Sequence, residues 1–328
     1  VILHYTIIRT IKTTKGLRVP VSKPEPTPAD FIVPLNMNGL QGRMLRMPAP
    51  KNHNREILLI YGHHALLERW WGLAQTLNQY GAVAMPDLPG FGGMDSFRKI
   101  GKKPTIDNFA DYLAAFIKMQ YKRRRVTIVG ISFGFVVATR MLQRYPELAK
   151  KVDFVVSIVG FAHRDDFLFK PWEYWSALTM SRIIGKRPVA FCVRHVFLNA
   201  FFIKSVYVHW GRSKRRFADT PPALFERMLE FEIQLWQAND VSTHWTTTAE
   251  FLTIDNCKKQ VDLPVWHVSS KHDHYFDNAI VEQHLRVIFN DYHHAIANLK
   301  AHTPSVLADR KAMSVLVPLA LRRALSKS

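Results

Sequence analysis

The sharpest chemical signal in the chain is Gly130-Ile131-Ser132-Phe133-Gly134. A serine hydroxyl becomes a useful nucleophile only when it is lifted clear of its surroundings and has a base beside it. A sharp turn from strand to helix provides the lift, because it forces the serine into a strained backbone conformation with its hydroxyl exposed. Glycine two residues to either side lets strand and helix approach closely. The start of the helix supplies backbone N–H groups and a favourable field for an oxyanion. The chemistry this predicts is attack on a carbonyl carbon, and the bland alternative is an ordinary turn with a solvated serine.

The elements around the motif fit the reading. Val126–Ile131 is a continuous apolar run that predicts a buried strand, and Phe133–Arg144 predicts a helix. Further buried strands are expected at Ile57–Tyr61, Ala82–Met85, Val152–Val159, Pro264–Ser270 and Ala295–Leu299. Helices are expected at Ala65–Tyr80, closed by Gly81, at Thr105–Gln120 with Thr105 as N-cap, at Ala279–Ile288, and from Thr303 onward. A hairpin turning at Asn38-Gly39 precedes them, over Asp30–Asn36 and Leu40–Met47. This alternation predicts an α/β fold: a mostly parallel central sheet with helices on both faces. The alternation lapses between His163 and Asp255, a helix-like stretch with five of the eight tryptophans: Trp172, Trp175, Trp210, Trp236 and Trp245. The expected organisation is an arm at 1–30, a first core part at 31–162, a helical insertion at 163–255 and a second core part at 256–328.

Asp87-Leu88-Pro89-Gly90-Phe91-Gly92 follows the second buried strand. With the serine turn, it makes the chain from about residue 30 onward resemble the α/β-hydrolase superfamily, which has a D-x-P-G-[FY]-G segment there. Asp87 and the glycines are read as shaping the site without reacting. The resemblance implies the order nucleophile, acid, base along the chain. It therefore implies Ser132 as nucleophile, Asp273 as acid just past the penultimate strand, and His302 as base after the last one. Asp277 is the nearest rival acid, or else a helix cap, and Asp165 and Asp166 are more distant rivals. His293 and His294 are expected before the last strand, at the wrong edge of the sheet. The oxyanion hole would use the backbone N–H groups of His63 and Phe133. The family commonly has His-Gly where this chain has Tyr61-Gly62, which leaves the backbone role intact and puts the usual packing of that loop in question.

The insertion resembles the superfamily's helical lid. Phe167, Phe169, Trp172, Trp175, Phe197, Phe201 and Phe202 favour an apolar acyl or aromatic substrate, most of them being expected to form the lid's own core and a minority the pocket. A serine at the turn disfavours the dehalogenases and epoxide hydrolases of this fold, whose nucleophile is a carboxylate. The expected function is hydrolysis of a carboxylic ester or thioester through an acyl-enzyme, with no cofactor and no metal. Adjacent His63 and His64 point in different directions, which argues against a metal site. The alternatives are a C–C bond hydrolase with the same triad, or a non-catalytic membrane-surface protein on the same fold.

Composition bounds the remaining partners. The chain has 328 residues, 48% apolar and 22% charged, which excludes a largely disordered chain. Two cysteines, Cys192 and Cys257, exclude a disulfide scaffold. The net charge of +19, from 45 Lys and Arg against 26 Asp and Glu, raises anionic lipid and nucleic acid as partners. The basic runs Lys122–Arg125 and Arg212, Lys214, Arg215 and Arg216 lack the aromatic interleaving of a single-strand binding groove. Nucleic acid is therefore disfavoured, solvated surface comes first, and weak contact with an anionic membrane, aided by the arm at Ile2–Arg18, comes second. In that arm the charges follow the apolar stretch, the wrong order for a secretory signal. The expected location is cytoplasmic, with a peripheral position at the membrane surface allowed.

Overall fold

A computed structural model describes residues 25–209, 221–299, 301–305 and 307–327. The arm at Ile2–Arg18, Trp210 and the basic run at 212–216 lie outside the described residues. Strands β1 (Ile32–Met37) and β2 (Leu40–Met47) form the hairpin, and both turn residues are left-handed, Asn38 at φ 52° and Gly39 at φ 81°. That is the mirror-image turn whose twist matches paired strands, and it needs residues that tolerate positive φ. Six more strands follow: β3 (Glu56–Ile60), β4 (Ala82–Pro86), β5 (Val126–Ile131), β6 (Val152–Ile158), β7 (Val265–Ser270) and β8 (Tyr292–Ala297). They join one eight-stranded sheet in the order β1-β2-β4-β3-β5-β6-β7-β8. The pairs β1·β2 and β2·β4 are antiparallel, and every pair from β4 to β8 is parallel. All six residues of the central β5 are buried, so both faces of the sheet are covered.

Helices α1 (Trp71–Leu77), α2 (Ile106–Gln120) and α3 (Phe133–Arg144) belong to the first part of this core. Thr105 caps α2 by accepting from the Asn108 amide. Between β6 and β7 the described residues carry the helices α4 (Pro171–Ile184), α5 (Arg187–Val196), α6 (Ala200–His209), α7 (Pro222–Ala238) and α8 (Val241–Leu252), and no strand of the sheet. It leaves and re-enters the core at His163 and Asp255, which pair as an isolated antiparallel bridge. After β7 come α9 (Asn278–Ile288), β8, and the short α10 (Arg310–Met313) and α11 (Leu319–Ser326).

Four local expectations need correction. The helix expected from Ala65 is a 3-10 turn at Leu67–Trp70 followed by a short α1, and Gly81 is no left-handed cap. A Cβ on Gly81 would sit 2.2 Å from the Arg55 carbonyl oxygen, so glycine serves close approach of two chain segments there. The last strand begins at Tyr292, so His293 and His294 lie on it, although still towards its N-terminal end. No helix starts at Thr303; the next one is capped by Asp309, whose carboxylate accepts from the Ala312 amide. The hairpin's first strand begins at Ile32 rather than Asp30, because Pro28–Asp30 is a turn of 3-10 helix in which Asp30 accepts from the Thr27 amide and hydroxyl. The run at Lys122–Arg125 is exposed, and its last two members are ion-paired, Arg124 with Glu56 and Arg125 with Asp153 at 2.7 Å.

Candidate active site

The parallel strands all end at one rim of the sheet, where open α/β sheets bind ligands. Ser132 stands there, between β5 and α3, with φ 48° and ψ −115°, a conformation that non-glycine residues avoid. Its amide donates to the Ile158 carbonyl at 2.9 Å, and its own carbonyl accepts from Phe135 at 3.0 Å, so the strained turn is held from both sides. The flanking glycines have a steric cause. A Cβ on Gly130 would lie 2.6 Å from Phe135 Cα, and one on Gly134 would lie 2.3 Å from the Ile60 carbonyl oxygen. Helix α3 starts so close to β3 and β5 that no side chain fits between them.

Asp273 lies in the turn after β7. Its Oδ1 accepts from the Tyr275 amide at 2.9 Å and the Phe276 amide at 3.3 Å. Its Oδ2 lies 2.6 Å from Nδ1 of His302. An ionised carboxylate can only accept, so Nδ1 carries the hydrogen and Nε2 is left as a base. That Nε2 lies 3.2 Å from Ser132 Oγ. The three residues come from loops after three different strands and meet in one hydrogen-bonded line. Burial pushes the Asp273 carboxyl up, but the His302 ring and the Tyr275 and Phe276 amides outweigh it and hold the group below the usual carboxylate range. The His302 ring is clamped edge-on between Tyr275 and Phe276, at centroid distances of 5.3 and 5.2 Å.

The rival acids have other work. Asp277 caps α9, accepting from the Ala279 and Ile280 amides. Asp166 is buried and accepts from the Ala162 and His163 amides and from the His284 ring, at 2.5 Å for the last. Asp165 is exposed and lies beside His163 and Arg164. A second serine–histidine contact, Ser157 Oγ to His267 Nδ1 at 2.9 Å, joins two buried residues of β6 and β7. It has the contact expected of a triad's nucleophile and base, but no carboxylate is hydrogen-bonded to the ring, whose Nε2 has no partner among the described residues. Burial pushes that ring down to about 3, so it is neutral filling between strands.

The loop after β3 brings Gly62 against the Ser132 turn, since a Cβ there would lie 3.4 Å from Ser132 Cβ. Among the described residues the amides of His63 and Phe133 donate to no protein backbone acceptor, as a pair awaiting an oxyanion requires. The His63 ring is tied back, with Nε2 2.8 Å from Thr247 Oγ1 and 3.1 Å from the His244 carbonyl oxygen. Loss of water pushes that ring down to about 4, and the rings of His64 and His244 well below their ordinary value. The departure Tyr61-Gly62 has a clear role. The Tyr61 hydroxyl donates to Asp87 Oδ1 at 3.0 Å and accepts from the Leu88 amide at 2.7 Å, pinning the Asp87–Gly92 loop. Arg43 Nε reaches the other Asp87 oxygen at 3.1 Å. Asp87 is buried, so its carboxyl is pushed up, with Arg43 and Tyr61 pulling the other way. A Cβ on Gly92 would strike Asp87 Oδ1 at 2.0 Å, which is why this loop carries glycine.

Sequence reasoning missed most of the aromatic cluster beside His302. Phe161, Phe251 and Phe276 join Phe167 in a cluster with centroids 4.7 to 5.9 Å apart, continuous with His63, Phe133 and His302. The position of Phe276, three residues after the acid, was a signal for one of them. Phe251 is brought in by α8, which no pattern in the sequence placed near Ser132.

Residues 57–297 match the family described as alpha/beta hydrolase fold, and the chain belongs to it. No curated protein matches the sequence. Similar solved structures include a thermophilic esterase from Thermogutta terrifontis, 16% identical with a TM-score of 0.61, covering 90% of this chain and 98% of that one. The enol-lactonase from Burkholderia xenovorans is 14% identical, with a TM-score of 0.57 over 90% of this chain and 97% of its own. The epoxide hydrolase CorEH is 13% identical, with a TM-score of 0.57 over 90% and 97%. These neighbours perform different reactions, so the likeness speaks to the fold.

Proposed function

We propose that this protein is a serine hydrolase that cleaves a carboxylic ester or thioester of an apolar small molecule through an acyl-enzyme. The observation that carries the reading is the line Asp273–His302–Ser132 at 2.6 and 3.2 Å. In the first half-reaction His302 Nε2 takes the proton of Ser132 Oγ as that oxygen bonds to the carbonyl carbon. The oxyanion faces the amides of Phe133 and His63, and Asp273 stabilises the imidazolium. The proton then passes to the leaving group as the bond to it breaks. A water, deprotonated by the same Nε2, releases the acid and regenerates the serine. The phenylalanine cluster around Phe276 favours an apolar acyl group, because desolvating such a wall costs nothing in lost hydrogen bonds.

A fluorophosphonate probe tests the assignment, together with hydrolysis of p-nitrophenyl esters of graded acyl length and of matched thioesters. Wild-type protein is expected to be labelled and Ser132→Ala is not. Equal labelling of both would refute Ser132, and labelling lost in Ser157→Ala instead would move the nucleophile to the sheet interior.

A further inference from the structure

The outer face of the inserted helices is strongly apolar for a surface. Of the large hydrophobic side chains exposed among the described residues, most lie between Leu168 and Phe202. Helix α4 shows the pattern clearly. Tyr174, Leu178 and Ser181 turn inward towards α8, with the Tyr174 hydroxyl donating to the Leu252 carbonyl. Trp172, Trp175, Thr179 and Ile183 recur at helical spacing on the opposite side, with Trp172 67% and Trp175 62% exposed. In α6, Phe201 is 84% exposed. Rings this exposed withdraw little apolar area from water, so folding of this chain does not explain them.

The charge beside this stripe is one-sided. Residues 168–206 hold six Lys or Arg and one carboxylate, Glu173. Where α4 ends, a cavity of about 580 Å³ is lined by Arg98, Arg182, Lys186 and Arg187, with Glu250 as its carboxylate. Among the described residues none of these four cations is ion-paired. Arg98 Nε is buried there without a partner, and burial raises the Glu250 carboxyl towards its neutral form. Among the described residues no single helix is long and apolar enough to cross a membrane. Helix α5 and the first part of α6 have the composition only as a pair bent by 77°, a shape suited to lying along an interface.

We propose that this face docks on an anionic phospholipid surface. The tryptophan and phenylalanine side chains enter the headgroup–acyl boundary, and the exposed Arg182 and Lys186, at the mouth of the cavity between α4 and α8, meet lipid phosphates. Aromatic rings at that depth flanked by Lys and Arg match both layers of the boundary, apolar below and anionic above. The proposal is independent of catalysis and is tested on Ser132→Ala protein. Binding is measured by co-sedimentation with vesicles of phosphatidylcholine alone and of phosphatidylcholine with phosphatidylglycerol, at low and high salt. The expected result is binding to the mixed vesicles that weakens with salt and a blue shift of tryptophan emission. The double variant Trp172→Ser, Trp175→Ser is expected to weaken binding about tenfold or more. Arg182→Glu with Lys186→Glu is expected to abolish the preference for the anionic lipid while far-UV circular dichroism stays unchanged. Equal binding by all three proteins would overturn the proposal, because attachment would then come from elsewhere in the chain. A dimer by light scattering that the tryptophan variant dissociates, with no vesicle binding, would overturn it in favour of a second copy. Inorganic phosphate that protects Arg182 and Lys186 from chemical modification, without vesicle binding, would reduce the cavity to a free-anion site and also overturn it.

Discussion

The sheet and the inserted helices use the same residue types for opposite ends. In the sheet, aliphatic side chains are withdrawn from water completely, Leu59, Val129 and Val156 among them, and the aromatics packed on it follow, with Phe135, Phe161 and Phe289 at most 2% exposed. In the insertion, Trp172 and Phe201 stand mostly in solvent. A parallel sheet needs cover on both faces because its strands have no polar side to show. The inserted helices are held mainly through α8, which carries the buried Thr243, Thr247 and Leu252, and by the bridge at His163 and Asp255. Their outer faces answer to no core. Composition alone therefore does not decide what an aromatic residue does; the element that carries it does.

The largest expected effect lies at the rim of the sheet. Asp273→Asn keeps the shape of the site but presents a donor to His302 Nδ1, which favours the wrong tautomer. Steady-state hydrolysis of the best ester is expected to lose about 10⁴-fold in kcat. A fall shared equally by Asp277→Asn would show that the acids had been misassigned.

Next comes packing. Phe135→Ala removes a ring that packs at a tilt against Phe289 inside the core, at a centroid distance of 6.0 Å, and is expected to cost about 3–5 kcal/mol in urea unfolding. The comparison sharpens if Trp172→Ser, an equally drastic change in the insertion, shifts the same midpoint hardly at all.

Acidification sits between these two. His267 is buried neutral, and its value of about 3 lies below that of the unfolded chain. The unfolded state therefore binds more protons as pH falls below about 6.5, and folding stability must fall in step. This residue alone contributes a loss of about 1.4 kcal/mol per pH unit on the way down towards 3. Thermal unfolding of wild type and His267→Phe between pH 7.5 and 5 reads the difference, and parallel curves would remove His267 as a cause. Smallest is Trp172→Ser itself, expected to change stability by about 0.5 kcal/mol or less because the ring is largely solvated already.

Much of the core was legible residue by residue. Val126–Ile131 and Phe133–Arg144 are strand and helix as their patterns predict, since a fully apolar run beside a 3.6-residue period admits few alternatives. The last strand was displaced because Tyr292-His293-His294 carries no apolar run; its side chains are only partly buried, so its pattern is weak. The final helix was misplaced because Thr303-Pro304 has the local form of a helix start without a following periodic face to bury. Composition predicts a core for most of the insertion's aromatics and a pocket for a minority, yet Trp172, Trp175, Phe197 and Phe201 are exposed, because sequence shows how many there are and not which way they point.

What the amino-acid order determined alone is the chemistry of short range: the glycine-flanked serine on its turn, the cap at Thr105, and the alternation that demands a covered sheet. These depend on neighbours a few residues apart, whose geometry the backbone itself dictates. Only the tertiary structure decided that Asp273 rather than Asp166 meets His302, that Tyr61 anchors the Asp87 loop, and that Trp172 faces water. The two contacts join positions 29 and 26 residues apart, and the same His302 reaches Ser132 across 170. They are settled by which strands become neighbours in the sheet, a choice made by the burial of the whole chain at once.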